Sequence, residues 1–169
     1  MTDTNLIEIA KILTNNNQKF VDDITEMAND FYAFYEKHEE WFNDELSIYM
    51  EGDDDYHYAN EEVFANWLHL EFSSVIDWKE YIDEVLAQLD DIGKNLGYPL
   101  DIDKIEIDTE EDTFEALKMI NAHFSARGYK LVNLDSSSDC YYLFIAPDKE
   151  YDRLVQLGSQ IGFRFGTFD

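Results

Sequence analysis

The stretch Tyr129-Lys-Leu-Val-Asn-Leu-Asp-Ser-Ser-Ser-Asp-Cys-Tyr-Tyr-Leu-Phe-Ile-Ala146 decides the fold. Tyr129 to Leu134 reads as a strand, Asp135 to Asp139 as a turn and Cys140 to Ala146 as a second strand. The turn is rich in hydroxyls and carboxylates, which hydrogen-bond to nearby backbone. Cys140 to Ala146 is the longest apolar stretch in the chain and suits a buried strand. Downstream, Asp148 can cap a helix carrying Tyr151, Leu154, Val155 and Ile161. Gly162 closes that helix, and Phe163 to Thr167 forms a last strand. Upstream, Lys104-Ile-Glu-Ile107 alternates like a short strand. Thr109-Glu-Glu-Asp112 then precedes a helix with Phe114, Leu117, Ile120 and Phe124 on one face, closed by Gly128. In chain order this is β-α-β-β-α-β, the ferredoxin-like arrangement. Its helices lie on one sheet face and leave the other to be covered.

The first hundred residues supply that cover. Residues 3–14 place Leu6, Ile7, Ala10 and Leu13 on one helical face. From Gln18, the steps Phe20, Ile24, Met27, Phe31, Phe34 and His38 predict one long amphipathic helix reaching at least Lys37. Glu39 to Met50 fits helix and strand alike. Glu51-Gly-Asp-Asp-Asp55 is a loop, and Asn60 can cap a helix carrying Val63, Phe64, Trp67, Leu68 and Leu70. Asp77-Trp-Lys-Glu80 fits a capping box, with Trp78 packed. The stripe Tyr81, Ile82, Val85, Leu86, Leu89, Ile92 and Leu96 follows, and Gly97 ends it. The expected fold is therefore α+β, one compact domain over residues 1–169. Within it, residues 1–98 are mainly helical and acidic, and residues 99–169 are ferredoxin-like.

The chain has 169 residues, with 38 Asp or Glu against 12 Lys or Arg, a formal charge of −26. Binding to nucleic acid or to an anionic membrane needs a basic face, so both partners are excluded as expectations. Disorder is not implied, because apolar residues make up 45% and aromatics 15%. The one cysteine, Cys140, cannot form an intrachain disulfide, which fits a reducing compartment. There is no basic leader and no apolar stretch of membrane length, so a cytoplasmic location is expected. The charge is uneven. Residues 1–117 hold 32 acids and 6 bases, whereas residues 118–169 hold 6 of each.

No sequence motif assigns a reaction, and neither catalytic residues nor a cofactor are expected. Asp53-Asp-Asp55 fails as a calcium loop, because Tyr58 and Phe64 stand where an EF-hand needs Gly and Glu. Asp101-x-Asp103 fails in the same way, with Glu106 at the sixth position. Three adjacent carboxylates still leave weak divalent-ion binding open. His38, His57, His69 and His123 show no i, i+4 pair of the zinc-protease kind and read as packed or surface residues. Cys140 reads as a buried, inert thiol, since nothing basic lies near it in sequence. No glycine-rich phosphate cradle is present. The sharpest local feature is an acidic stretch interleaved with tyrosine. Tyrosine gives rigid contact area and a hydroxyl at low entropic cost, so Tyr49, Asp53, Asp54, Asp55, Tyr56, Tyr58, Glu61 and Glu62 form the candidate partner-binding set.

Asp77-Trp-Lys79, Leu86-x-Gln-Leu-Asp90, Gly128-Tyr129, Leu134-Asp-Ser-Ser-Ser-Asp139 and Tyr142-Leu-Phe-Ile145 together resemble an uncharacterised bacterial family, known mainly as a domain of unknown function. The resemblance covers about residues 65–161. It implies a bacterial cytoplasmic protein with no established catalytic residues. By charge and size the chain is also similar to immunity proteins of toxin–immunity systems, an analogy rather than a motif. The leading expectation is an immunity or inhibitor protein that neutralises a basic partner, such as a nuclease toxin. The alternative is a regulatory module that holds a protein or small ligand against the sheet, at an open, aromatic-lined face or pocket.

Overall fold

The computed structural model describes residues 4–48, 50, 61–108, 111–137 and 139–169. Helix α1 (Thr4–Leu13) buries Leu6, Ile9, Ala10 and Leu13, the i, i+3, i+4, i+7 spacing of one face. The expected long second helix is broken. It runs as α2 (Gln18–Asn29), α3 (Phe31–Lys37) and α4 (Glu39–Leu46). Asp30 has a non-helical φ of −153°, and its carboxylate accepts the Ala33 N–H at 3.0 Å. It restarts the chain as an N-cap, so the apolar period continues through a break in the backbone. Helix α5 (Glu61–Trp67) then leads into strand β1 (Ser73–Asp77).

Strand β1 is the first correction to the fold. No alternation marks it, because two serines stand at its inner positions. Both are fully buried, and both are satisfied. Ser73 Oγ donates to the Ala65 carbonyl and Ser74 Oγ to Gln88 Oε1, each at 2.6 Å. A polar strand is stable inside when every hydroxyl has a partner. The expected strand at Lys104–Ile107 is absent. A single 3₁₀ turn, Ile102–Lys104, stands there, followed by an irregular segment. Helices α6 (Ile82–Leu96) and α7 (Thr113–Ser125) therefore lie together between β1 and β2 (Tyr129–Asp135). Strand β3 (Cys140–Pro147), helix α8 (Tyr151–Ile161) and strand β4 (Arg164–Thr167) complete the chain.

With α6 and α7 both in the first crossover, the chain order is β-α-α-β-β-α-β rather than the expected β-α-β-β-α-β, and the sheet is not ferredoxin-like. Its order is β1-β3-β2-β4, all antiparallel, so the last strand pairs with β2 rather than with β1. That one difference relocates the helices. Both crossovers, β1 to β2 and β3 to β4, step two places in the same direction from strands of opposite sense. Right-handed connections of that kind fall on opposite faces. The contacts agree. On one face lie Phe144, Val132 and Phe165, met by α5 through Phe64 and by α8 through Gly158. On the other lie Tyr141 and Ser74, reached by α7 through Phe114 and Phe168 and by α6 through Gln88. Helix α1 joins the first face, packed on α8 and β3. Both faces carry helices, so among the described residues there is no open sheet face of the kind one form of the regulatory-module expectation needs.

One contiguous apolar core runs from Leu6 to Phe168. Tyr142 to Ala146 are five consecutive buried residues, as in a central strand shielded on both sides. Where β4 stops pairing, side chains finish the ladder. Asn121 Oδ1 accepts the Leu131 N–H at 3.0 Å, and its Nδ2 donates to the Phe168 carbonyl at 2.8 Å. Thr167 Oγ1 donates to the Leu131 carbonyl at 3.0 Å. Asn121 is buried, so Asn121→Leu orphans an N–H and a carbonyl where water does not reach. A loss of about 1–3 kcal/mol for each group is expected. The readout is the free energy of urea unfolding.

Candidate functional site

Of the sequence-derived partner set, Tyr49, Asp53, Asp54, Asp55, Tyr56 and Tyr58 lie outside the described residues. Glu61 and Glu62 open α5, the first half-buried and the second exposed. No group of three or more His, Cys, Asp or Glu side chains placed to hold a metal ion occurs among the described residues.

A different surface stands out, at the end of the sheet where β1 leaves and β3 enters. Trp78 is 52% exposed and Tyr81 74%. Sequence reasoning packed both. The reason lies in where α6 begins. Asp77 does not cap it; its carboxylate accepts the Lys79 N–H at 2.9 Å and closes a turn. The helix starts only at Ile82, so Tyr81 sits outside the stripe its spacing matches. Trp78 shares a shallow cleft of about 280 Å³ with Asp139, Cys140 and Tyr141. Cys140 is therefore half-buried at a surface, not sealed in the core. Tyr141 meets Phe168 at 5.8 Å, and Phe168 meets the exposed Phe114 at 5.9 Å. Aromatic contacts thus run from Tyr141 in β3, through Phe168, to Phe114 at the start of α7, and Trp78 lines the same cleft as Tyr141.

Carboxylates frame these rings. Between Asp77 and Glu84 there are four acids and one base, Lys79, whose ammonium lies 4.3 Å over Trp78. Between Glu111 and Lys118 there are three acids and one base, Lys118, 5.7 Å from the Phe114 ring. Glu80 sits so close to Glu84 that their shared hydrogen bond, and then the Glu80 charge, raise the Glu84 carboxyl above the usual range. Crowded acids around exposed aromatic rings match the anatomy of a protein-binding surface: apolar anchors inside a polar rim. Nothing in the local pattern announces it, since exposure of Trp78 and Tyr81 depends on the helix start.

The sequence profile of a family described as Domain of unknown function (DUF6630) matches residues 5–168. The chain belongs to this family. The match takes in residues 5–60 as well as the segment from 65 to 161 that carries the resemblance. No curated protein and no solved structure matches. In this DUF6630 chain, no described helix is long and apolar enough to cross a membrane.

The histidines of this DUF6630 member differ in setting. His123 Nε2 lies 2.8 Å from the Leu100 carbonyl, and His57 falls outside the described residues. The His38 ring packs 4.6 Å from Phe34 and 4.8 Å from Trp67. Its Nε2, and His69 Nδ1, are buried with no hydrogen-bond partner among the described residues. Burial lowers both histidines, helped at His38 by Lys37 and opposed by Asp23 and Glu26. At His69 the Ser73 backbone bond and the Glu45 charge oppose it. Above the ordinary histidine value of about 6.5 both are neutral, folded or unfolded. As pH falls through that value, the unfolded chain takes up protons that the folded chain resists, so these groups destabilise the fold. Urea-unfolding free energy is expected to drop from pH 7.5 to pH 5.5, and His38→Phe is expected to flatten that slope.

Proposed function

We propose that this chain is an immunity or inhibitor protein that binds and neutralises a basic protein, with a nuclease toxin as the fitting class. The observation that carries the reading is the exposure of Trp78, Tyr81 and Phe114 beside segments rich in carboxylates. Nucleases hold phosphates on cationic faces, and an acidic surface can occupy such a face. Attraction between opposite charges raises the association rate, and salt beyond a screening length of roughly 8 Å reduces it. Anchoring then falls to a few aromatic residues, which dominate interface energies. The acidic stretch from Tyr49 to Glu62 belongs to the same proposal as a second contact. A regulatory module using an open sheet face is disfavoured, because helices cover both faces.

The test is stoichiometric inhibition of the protein encoded beside this one, with its nuclease or toxic activity as readout. Trp78→Ala is expected to weaken the complex by about 30-fold, the loss typical of a strong anchor. Affinity should also fall as salt rises. A neighbouring protein that is neither basic nor toxic sinks the reading. So does inhibition that survives Trp78→Ala unchanged.

A further inference from the structure

The opposite end of the sheet has a different character, and Tyr98 is its centre. Tyr98 follows Gly97, the left-handed residue that ends α6, and its N–H donates to the Gly93 carbonyl at 2.9 Å. Its ring stacks on Tyr129 at 4.4 Å and 28°. Its hydroxyl oxygen is buried yet has no hydrogen-bond partner among the described residues. A phenylalanine at this position could make the same stack without leaving a polar atom unpaired, so packing alone does not account for the hydroxyl. Burial, and then the nearby Tyr129, push this group up to about 12, so it remains a proton donor at neutral pH.

Two clefts meet on Tyr98. One, of about 220 Å³, is lined by Lys11, Arg153 and Lys149; the other, of about 460 Å³, by Arg127, Tyr129 and Lys149. Asn15, Tyr98, Pro147 and Lys149 belong to both. Four of the chain's 12 basic residues therefore line one groove of a molecule carrying −26, together with three carboxylates, Glu8, Asp148 and Glu150. Three of the four come from the charge-balanced last third of the sequence. Glu8 fixes two of them, bonding Lys11 and Arg153 at 2.6 Å each. Arg127 stands 3.6 Å from Asp101 and donates to the His123 carbonyl at 3.1 Å. Lys149, the cation common to both clefts, makes no ion pair among the described residues. Lys149, without an ion pair among the described residues, and Tyr98, whose buried hydroxyl lacks a partner among them, thus line the same two clefts, with Pro147 in both and Tyr129 in the larger. A compact organic molecule fits the larger cleft, which falls within the usual range of small-molecule sites.

We infer that the groove around Tyr98 binds a small organic oxyanion, its phosphate or carboxylate head on Lys149 and the Tyr98 hydroxyl, its body against Tyr129 and Pro147. Oxyanions supply the acceptor that both donors lack, and charged partners make the stronger hydrogen bonds. The overall field of the protein repels anions, so the local donors carry the recognition. This end of β3 lies roughly 23 Å from the Trp78 end, at about 3.3 Å per residue. The inference does not depend on the partner-binding reading.

The experiment is calorimetric titration of the full chain with inorganic phosphate, adenosine monophosphate and citrate, each to about 10 mM, well past the millimolar affinity of a weak site. Adenosine is the neutral control. Saturable binding of at least one anion is expected, and the phosphate and citrate arms distinguish the two head groups. Tyr98→Phe and Lys149→Gln are each expected to weaken it by roughly tenfold or more, the worth of one hydrogen bond to a charged group. Tyr98→Phe should unfold at the same or a higher urea concentration, and Trp78→Ala should bind the anion normally. The inference is overturned if no anion binds, if adenosine binds as well as its monophosphate, or if both groove variants bind unchanged.

Discussion

Strand β3 is paired on both edges and covered on both faces, and the rest of the molecule is arranged around that requirement. Its five consecutive buried residues leave no side for water. Burying Leu143, Phe144 and Ile145 is worth about 1.5–3 kcal/mol each, provided every neighbouring element is in place. The sheet order β1-β3-β2-β4 meets the need, because its two crossovers send helices to opposite faces. A ferredoxin-like order sends both to one face and leaves the other for a separate cover. Here α6 and α7 shield one face, while α1, α5 and α8 shield the other.

The same arrangement defines the two ends of the sheet, and these are where the surface becomes chemically distinctive. At one end, the turn after β1 delays α6 and leaves Trp78 and Tyr81 exposed among acids. At the other, the chain leaving α6 lays Tyr98 on Tyr129 in a groove lined by four basic and three acidic residues. The formal charge of −26 is therefore not a uniform coat. Its imbalance in residues 1–117 frames the aromatic surface, and most of the groove's cations come from residues 118–169.

Much of the architecture is legible in local sequence. The hairpin of β2 and β3, helix α8, strand β4 and the glycines at 97, 128 and 162 all stand where local pattern places them. These elements announce themselves through apolar runs and through glycines, all three with positive φ here. Strand β1 is hidden, because its serines are satisfied by Ala65 and Gln88, partners the local sequence does not reveal. Lys104 to Ile107 imitates a strand, since alternation alone does not supply a neighbour to pair with. The break at Asp30 is masked by an apolar period that runs across it.

The sequence by itself determined the α+β class, the order of most elements, the apolar core positions and the division of charge along the chain. These follow from periodicity, capping and composition, which act over a few residues. Only the tertiary structure decided which edge receives β4, which faces the helices cover, and that Trp78 is exposed while the Tyr98 hydroxyl is buried. Those outcomes depend on pairings between segments far apart in the chain, such as Asn121 with Leu131 and Phe168, or Lys11 and Lys149 across one groove. No local pattern encodes such a pairing, because each partner's energy exists only once the other is in place.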